Sequence, residues 1–380
     1  MSDAPSVAVV GLGSIGAMTA WRLARRGARV TGFERYSPGH DHSAHGGETR
    51  IFRTAYLESP DYVPLLRRAQ ELWRDLEKES GARLLHLGGV LTIGSAATEE
   101  IANVLASAET YGLDLEEVPA AEARRRYPQY RVGDDESVLL DREAGYLRPE
   151  LAVLHAGLTA EANGALVHRY TTVTAIEPDA DGVVVRTSAG TAERFDHVAV
   201  ATGPWAARLL GELGYPGTIE VRRPVQAWFP GRDPARFAPD RCPVFIRVSG
   251  TRCYGLPAMD GSGLKLGLHA VDNRVVPDPD ALDTRIGTDE LAAFRTAAAE
   301  VLPGVYPEPT RVSAYMEGYT PDGHGVVGRL PGAERVTLLV GFSGHGFKLA
   351  PAFGELGADA VLGERTAPLI PQLDPARFVR

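Results

Sequence analysis

The N-terminal segment limits the possible folds more strongly than any other part of the chain, and it reads SVAVVGLGSIGAMTAWRLARRGARVTGFER. A short β-branched run precedes Gly11, Gly13 and Gly16, which have the spacing G-x-G-x-x-G. A helical pattern then ends at Gly27, and a second strand pattern ends at Glu34. Glycines with this spacing allow a tight turn close to a pyrophosphate, whose charge the following helix N-terminus stabilises. The segment therefore predicts a parallel βαβ unit that binds a dinucleotide.

Two further features bear on which dinucleotide is bound. Glu34 lies about 20 residues after the glycines, where an acid accepts hydrogen bonds from ribose hydroxyls. An acid at this position disfavours NADP, but the motif alone does not separate NAD from FAD. Much later, RFDHVAVATGPWA is an apolar strand that leads to Thr202, Gly203 and Trp205, where small residues allow close contact with a ligand. A plain core strand and turn is the alternative interpretation of that second segment.

Composition and charge exclude several functional classes. The net charge of −9 argues against a nucleic-acid partner or an anionic membrane. No apolar stretch approaches transmembrane length, and no basic leader precedes the first apolar run, so we expect a cytoplasmic protein. The two cysteines, Cys242 and Cys253, fit a reducing compartment and are expected to be buried thiols. No cysteine and histidine spacing indicates a metal site.

The chain has 380 residues, enough for two domains. Its pattern is βαβ at the start, mainly antiparallel strands in the middle, and glycine-rich cofactor-like sequence at the end. We therefore expect a dinucleotide-binding domain that is interrupted by a substrate domain, with the active site between them. The expected boundaries are residues 1–88, 146–220 and 322–380 for the first domain, and 89–145 and 221–321 for the second.

The segment LLHLGGVLTIGS is predicted to form a hairpin that opens the second sheet. Apolar residues flank its two central glycines, as they do in many hairpins.

Lysine is rare in this chain, since only Lys78, Lys265 and Lys348 occur among 40 basic residues. Lysine is a compact charge whose pKa changes on burial, whereas arginine is a planar and permanently charged fork. Lys265 and Lys348 occur in the glycine-rich stretches GLKLGLH and GFSGHGFK. This placement suggests that a point charge is needed there, and chance placement in loops is the alternative. Lys78, in RDLEKES, is predicted to lie on an exposed helix face.

Six motifs spread over the chain carry a family resemblance: GLGSIG, HGGETRIFR, ATGPW, CYGLPAMDGSGLKLGLH, YTPDGHGVVG and GFSGHGFK. The chain resembles monomeric sarcosine oxidase and N-methyltryptophan oxidase, which are FAD-dependent amine oxidases of the D-amino-acid-oxidase-like superfamily. The resemblance implies an α/β (α+β) fold, with a Rossmann-like FAD-binding domain and a discontinuous substrate domain on a mainly antiparallel sheet. It also implies a monomer that takes a small amino acid or amine and O2.

The resemblance implies roles for four basic residues. It places Arg50 over the flavin, and Arg53 and Lys348 at the substrate carboxylate. It places Lys265 near flavin N5, where it assists the reaction with O2. An arginine fork and an ammonium group hold a carboxylate well, and a buried cation stabilises developing superoxide. A surface ion pair is the alternative interpretation of Arg53.

The remaining implied roles concern the pocket walls. His269, with a catalytic role, and Tyr254 would line the substrate pocket, although His269 is also compatible with a core position. The residues implied to contact FAD are Gly11, Gly13, Ser14, Ile15, Gly16, Glu34, Arg35, His45, Thr49, Arg50, Val173, Thr202, Gly203, Trp205, Tyr315, Gly344, Gly346, Phe347 and Lys348.

Two positions depart from the family pattern. Family members attach FAD through a cysteine thioether seven residues before a DEH-like triplet, and here the triplet is DGH at 322–324. Counting back gives Tyr315, which cannot form that thioether, so non-covalent FAD is expected. Glu317 stands where the family has a pocket tyrosine. An acid there would repel a second carboxylate and could pair with a basic group of the substrate; exposure to solvent or pairing with an arginine is the alternative.

We therefore expect an enzyme that oxidises the C–N bond of an N-methyl, cyclic or other secondary amino acid to an imine, with O2 reduced to H2O2. An FAD-dependent dehydrogenase that uses another electron acceptor is a second possibility. A flavin-binding protein without turnover is a third. An NAD-dependent dehydrogenase is disfavoured by the late segments ATGPW and GFSGHGFK.

Overall fold

The computed structural model describes residues 4–42, 44–259, 261, 263–269, 274–364 and 370–379. The α-helices among these residues are α1 (Ser14–Arg25), α2 (Val63–Ser80), α3 (Glu99–Tyr111), α4 (Ala120–Arg126), α5 (Pro149–Ala162), α6 (Ala206–Glu212), α7 (Thr288–Val301) and α8 (Ala350–Leu362). Their β-strands are β1 (Ser6–Val10), β2 (Arg29–Phe33), β3 (Arg50–Phe52), β4 (Leu85–His86), β5 (Val90–Ser95), β6 (Leu115–Glu117), β7 (Glu136–Asp141), β8 (Gly145–Leu147), β9 (Leu166–His168), β10 (Val173–Pro178), β11 (Val183–Thr187), β12 (Ala192–Phe195), β13 (His197–Val200), β14 (Glu220–Arg223), β15 (Val225–Phe229), β16 (Val244–Arg247), β17 (Cys253–Leu256), β18 (Leu264–Leu268), β19 (Arg274–Val275), β20 (Arg311–Ala314), β21 (Glu317–Tyr319), β22 (Val326–Leu330) and β23 (Ala333–Val340).

A six-stranded sheet in the order β22-β23-β13-β1-β2-β9 forms the first layer. Its strands pair in parallel except at the edge, where β22 is antiparallel to β23. The N-terminal βαβ unit predicted from the sequence is confirmed, because β1 pairs in parallel with β2 and α1 connects them. Helix α1 packs against α5 and α8. A three-stranded antiparallel sheet, β10-β11-β12, shares a second apolar core with the strands of the large sheet.

Small residues set the close packing of α1 on α8. A Cβ atom added at Gly354 would lie 2.7 Å from the Cβ of Met18, so only glycine fits between the two helices. Nearly all of α1 is buried, including Trp21, which is fully buried. This packing fixes the start of α1 relative to the ends of the parallel strands, where ligands bind in folds of this type.

An eight-stranded sheet in the order β20-β15-β18-β17-β16-β5-β7-β6 forms the second part of the molecule. It is antiparallel throughout except for the pair β16 and β5, as expected for the mainly antiparallel substrate sheet. Helices α4 and α7 contribute Ala123 and Phe294 to its core. Two small sheets, β3-β8-β4 and β19-β14-β21, are also antiparallel.

The predicted hairpin over residues 84–95 is wrong. Strand β4 pairs with β8, whereas β5 pairs with β7 and β16. Leu85 belongs to the core around α1 and α2, and Leu91 belongs to the core of the eight-stranded sheet. The apolar residues on both sides of the glycines located both strands correctly but carried no information on their partners, which long-range packing decided.

The two large sheets draw on different parts of the chain. Strands of the six-stranded sheet come from residues 6–33, 166–200 and 326–340. Strands of the eight-stranded sheet come from residues 90–141, 225–268 and 311–314. The exact domain boundaries given above remain a prediction. None of the helices in the described part of the chain combines the length and the hydropathy that a membrane-spanning helix requires.

Candidate cofactor and substrate site

A cavity of about 680 Å³ lies at the carboxyl ends of the parallel strands. The residues that follow β1, β2, β13 and β23 all line it, among them Gly11, Glu34, Thr202 and Gly341. Parallel strands end at one edge of a sheet, so these four connections converge although they are far apart in the sequence.

The glycine-rich turn leaves no room for a side chain at Gly11 or Gly16. Gly11 has φ of 86°, and a Cβ added there would lie 2.6 Å from the carbonyl oxygen of Ala201. A Cβ added at Gly16 would lie 1.8 Å from the carbonyl oxygen of Gly11. Gly13 and Ser14, at the start of α1, line the cavity, and no side chain among the described residues caps this helix. The first N–H groups of α1 are therefore available to a phosphate.

Glu34 is held rigidly at the cavity wall. Its exposed fraction is 4%. The backbone N–H of Leu12 donates to one carboxylate oxygen at 2.7 Å, and that of Tyr36 donates to the other at 2.9 Å. Each carboxylate oxygen has further lone pairs, so ribose hydroxyls can still bind.

Thr202 gives an independent sign that this cavity takes a polar ligand. Its hydroxyl oxygen is buried, lines the cavity and has no hydrogen-bond partner within the described residues. A buried hydroxyl without a partner is costly, and a ligand oxygen would satisfy it. The glycine turn, Glu34 and Thr202 together fit a dinucleotide such as FAD.

One wall of the cavity was not foreseen from the sequence. Asp280 accepts hydrogen bonds from Arg35 at 2.5 Å and from the indole N–H of Trp205 at 2.8 Å. All three residues line the cavity. The segment VPDPDALD carries no cofactor motif, so only the folded chain brings Asp280 to the site.

The structure gathers most of the predicted cofactor residues around this cavity. Those that line it are Gly11, Gly13, Ser14, Ile15, Glu34, Arg35, His45, Arg50, Val173, Thr202, Gly203, Trp205, Glu317, Gly344, Gly346 and Phe347. The remaining predicted residues do not line it: Gly16, Thr49, Arg53, Tyr254, Lys265, His269, Tyr315 and Lys348. Gly16 packs against the glycine turn. The contacts proposed for these eight residues with cofactor or substrate remain predictions.

Arg50 marks the end of the cavity where charged side chains begin. Its guanidinium group donates to the carbonyl oxygens of Ala44 at 2.6 Å, Gly46 at 2.5 Å and Thr49 at 2.8 Å. These bonds fix the guanidinium group beside the cavity. Burial, followed by the charges of His40 and Arg50, lowers the pKa of His45 to about 3, so its imidazole is neutral.

Lys265 is buried directly behind Arg50. Its exposed fraction is 1%. The ammonium group donates to the carbonyl oxygen of Gly47 at 3.0 Å and to that of Thr49. Burial lowers the pKa of Lys265 well below its usual value, and the charge of Arg50 lowers it further while Glu150 opposes the shift. A lysine in this position keeps its proton only as long as the surrounding oxygens and carboxylates support it.

Lys348 belongs to a second cationic group around one aromatic ring. Its ammonium group donates to the carbonyl oxygen of His345 at 2.8 Å and lies 5.3 Å from the ring centre of Tyr56. The guanidinium group of Arg53 lies 4.9 Å from the same ring centre. Burial, then the charge of Arg53, lowers the pKa of Lys348 to about 7. Two cations on one ring attract a negatively charged ligand.

Arg53 forms the ion pair that the sequence left as an alternative, with the arginine buried and its partner Glu58 exposed at the surface. Its exposed fraction is 8%, and one guanidinium nitrogen donates to both carboxylate oxygens of Glu58, at 2.5 and 2.6 Å. Burial raises the pKa of Glu58, but Arg53, His345 and Lys348 bring it down to about 2. Nothing in the sequence marked Glu58 as a partner of this arginine.

Tyr254 and His269 lie together, with ring centres 5.5 Å apart. The Tyr254 hydroxyl accepts a hydrogen bond from Gln226 at 3.3 Å. Burial raises the pKa of Tyr254 to about 12. His269 is exposed, so the core position left open by the sequence is not found, but desolvation by the surrounding residues, followed by the charge of Arg53, lowers the pKa of His269 to about 4 and leaves its ring neutral at pH 7.

Glu317 lines the cavity and has a tyrosine as its partner. The hydroxyl of Tyr319 donates to its carboxylate at 2.9 Å. Burial raises the pKa of Glu317, and the charge of Arg50 opposes this shift. Within the described residues no arginine lies within ion-pair distance, so neither alternative from the sequence describes its position.

Tyr315 packs on the turn that precedes Arg50. A Cβ added at Gly46 would lie 2.5 Å from a ring carbon of Tyr315, and Arg311 donates to the Tyr315 hydroxyl at 3.3 Å. The two cysteines, Cys242 and Cys253, are buried in the core of the eight-stranded sheet.

The sequence matches the family model of FAD dependent oxidoreductases over residues 6–360. The chain belongs to this family. It is 36% identical to monomeric sarcosine oxidase from Streptomyces avermitilis, over 100% of this chain and 99% of that protein. It is 32% identical to N-methyl-L-tryptophan oxidase from Salmonella dublin, over 94% of this chain and 95% of that protein. The protein is thus an FAD-dependent oxidoreductase.

The fold is also that of a solved member. The structure is similar to the open form of NikD, an unusual amino acid oxidase essential for nikkomycin biosynthesis. The TM-score is 0.85, the sequence identity is 26%, and the match covers 98% of each chain. This likeness supports the α/β fold class of the chain.

Proposed function

We propose that the protein is an oxidase of N-methyl, cyclic or other secondary amino acids, which converts their C–N single bond to an imine. Two electrons and two protons leave the C–N unit and reduce O2 to H2O2. The observation that carries this proposal is the pair of buried lysines, Lys265 and Lys348, which do not line the dinucleotide cavity themselves but lie near Arg50, which does. The names of the relatives, a sarcosine oxidase and an N-methyl-L-tryptophan oxidase, support the same class of substrate.

The chain would hold FAD through groups that are already oriented. The N–H groups at the start of α1 suit its pyrophosphate, Glu34 suits ribose hydroxyls, and the unsatisfied hydroxyl of Thr202 suits a polar atom. When bound, FAD supplies a two-electron acceptor that organic side chains cannot provide. We propose that it is held non-covalently, because Tyr315 stands where related enzymes have the attaching cysteine.

The proposed carboxylate site consists of Lys348 and Arg53. Both cations are nearly buried, lie near one ring and would form charge-assisted hydrogen bonds to a carboxylate. An incoming carboxylate competes with Glu58 for Arg53. A bound carboxylate also raises the proton affinity of Lys348, so ligand and proton bind together.

The charges around the site favour a neutral amine. The basic side chains of Arg50, Arg53 and Lys348 lie near one another, so a positive charge on the nitrogen of a substrate bound beside them is disfavoured. Tyr254 and the neutral His269 would form the wall around the reacting carbon. Water then hydrolyses the imine product. We propose that Lys265 acts afterwards, by stabilising the negative charge that develops on O2.

The central test mixes the FAD-loaded protein with N-methyl and cyclic amino acids, in both enantiomers, in the absence of oxygen. The proposal expects loss of the yellow flavin colour with at least one of them, and one H2O2 per substrate when air is admitted. Loss of colour without H2O2 would instead identify a dehydrogenase. No loss of colour with any amino acid would overturn the proposed activity. Acid precipitation tests the attachment, because non-covalent FAD leaves the protein and stays in solution.

Lys265→Met tests the role in the oxygen reaction. Anaerobic reduction by substrate should be nearly unchanged, whereas reoxidation by O2 should slow by about 100-fold or more, as when other electrostatic stabilisers are removed. Stopped-flow measurement of both half-reactions separates the two effects. Lys78→Met, on an exposed helix face, is the matched control. Unchanged reoxidation in Lys265→Met would contradict the role.

A further inference from the structure

Three side chains form a row across adjacent strands of the eight-stranded sheet. Arg311 on β20 lies directly opposite Trp228 on β15, and Trp228 lies directly opposite Lys265 on β18. Directly opposite residues project from the same face of a sheet, so these side chains are neighbours. Trp228, at 1% exposure, stands between the two basic residues.

Glu48 covers this row from the neighbouring loop. One of its carboxylate oxygens accepts a hydrogen bond from Arg311 at 2.6 Å, and the other accepts from the indole N–H of Trp228 at 3.2 Å. The Arg311 guanidinium group also lies 4.2 Å from the indole ring centre. The carboxylate of Glu48 is therefore fixed by two donors that are themselves packed together.

The backbone of Glu48 faces Lys265. Its φ of 66° lies in the left-handed region, which is unfavourable for a residue other than glycine and persists only where the surroundings enforce it. In this conformation the carbonyl groups on either side, those of Gly47 and Thr49, both accept from the Lys265 ammonium. Glu150 holds the other side of the turn, since it accepts from the N–H groups of Gly47 and Glu48 at 2.7 and 2.9 Å.

We propose that Glu48 and Arg311 are positioning residues for Lys265, which hold the turn that gives its ammonium two carbonyl acceptors and balance the charge around it. The inference rests on the role proposed above for Lys265 in the reaction with O2. Neither residue needs to touch substrate or O2, because both act through the lysine. The row accounts for the strained backbone of a glutamate two residues before Arg50, which lines the cavity.

The charges around Lys265 make the proposal testable, because the two variants should shift proton binding by Lys265 in opposite directions. Burial, then Arg50 and Arg311, lower its pKa, while Glu150 and Glu48 raise it. Removal of the Glu48 charge takes away one anion that supports the Lys265 proton, so Lys265 should bind its proton more weakly. Removal of the Arg311 charge takes away one cation that opposes this proton, so Lys265 should bind it more tightly. A purely structural role would not produce shifts of opposite sign.

The experiment compares Glu48→Gln, Arg311→Gln and the double variant. Because the chain has only three lysines, NMR of protein labelled at the lysine side chains gives a short spectrum, in which Lys265→Met assigns the signal of interest. Titration with pH, with and without FAD, should show about tenfold weaker proton binding in Glu48→Gln and about tenfold tighter binding in Arg311→Gln. The double variant should return close to wild type.

Reoxidation rates measured against pH provide a second readout. Their midpoint should move to lower pH in Glu48→Gln and to higher pH in Arg311→Gln. Glu308→Gln, which breaks an exposed ion pair with Arg295, is the matched control and should shift nothing. Glycine adopts a positive φ readily, so Glu48→Gly is the replacement variant if Glu48→Gln folds poorly. It should shift the midpoint of the reoxidation rate in the same direction as Glu48→Gln.

Shifts in the same direction for both variants, or no shift in either, would overturn the proposal. A wild-type titration in Glu48→Gly would overturn it as well, because the carboxylate would then be dispensable. Failure of the role proposed for Lys265 in the oxygen reaction can be told apart from failure of this positioning proposal. In that case Lys265→Met reoxidises at the wild-type rate, while the NMR titrations still report whether Glu48 and Arg311 control the lysine.

Discussion

The two ends of the cavity are built in different ways. The nucleotide end is built mainly from backbone atoms, namely a turn in which Gly11 and Gly16 are in contact and the start of α1, to which Glu34 and Thr202 add polar side chains. Beside the other end, near Arg50, lie buried charged side chains that do not line the cavity itself, above all Arg53, Lys265 and Lys348, which come from distant parts of the chain. A backbone site is sensitive to added atoms, whereas a site of buried charges is sensitive to any change of charge or proton.

Gly16→Ala is expected to have the largest effect, because it adds an atom to the backbone site. The new Cβ would lie 1.8 Å from the carbonyl oxygen of Gly11, so the turn must open. We expect loss of FAD binding and a decrease of roughly 3 kcal/mol in the free energy of unfolding. Flavin content and urea unfolding measure both. Gly211→Ala is the control, since nothing lies within 4 Å of the added atom. Normal FAD content in Gly16→Ala would contradict a backbone-built site.

Lys348→Met tests the charged end, because methionine keeps the approximate shape of the side chain and removes its charge. The dissociation constant of a carboxylate substrate analogue should rise about 10- to 100-fold, since a hydrogen bond to a charged group contributes roughly 1.5–3 kcal/mol. FAD content should stay at the wild-type level, because the nucleotide end is untouched. Titration of the flavin absorbance with the analogue measures the constant, with Lys78→Met as control. Equal affinity in Lys348→Met and wild type would show that the carboxylate binds elsewhere.

The pH dependence of analogue binding in the wild-type protein should be a smaller effect than the loss of affinity in Lys348→Met. This pH dependence is specific to the charged end. Burial and Arg53 lower the pKa of Lys348 to about 7, so the free protein loses this charge as the pH rises above 7. Affinity for the analogue should therefore fall above pH 7, by at most about tenfold per pH unit, and level off below it. Lys348→Arg keeps its charge and should remove the dependence. An affinity that rises with pH in wild type would contradict this assignment.

The sequence predicted local elements better than long-range ones. The βαβ unit and its glycines were correct because the pattern, the turn and the helix start all lie within about 30 residues. The pairing of β4 and β5 was wrong, because both strands have ordinary apolar patterns and their partners lie more than 40 residues away. Arg35 was expected at the cofactor, but its partner Asp280 was not, since VPDPDALD has no recognisable motif.

By itself, the sequence determined the dinucleotide turn, since the turn depends on residue type and spacing. It also singled out Lys265 and Lys348 as point charges and Tyr315 as a residue that cannot form the thioether. Only the tertiary structure decided that Arg53 meets Glu58 and that Glu48 and Arg311 surround Lys265. The physical reason is that the energy of a charge depends on its burial and on its distance to other charges. Neither quantity is set until the chain has folded, whether the partners are 263 residues apart, as Glu48 and Arg311 are, or only 5, as Arg53 and Glu58 are.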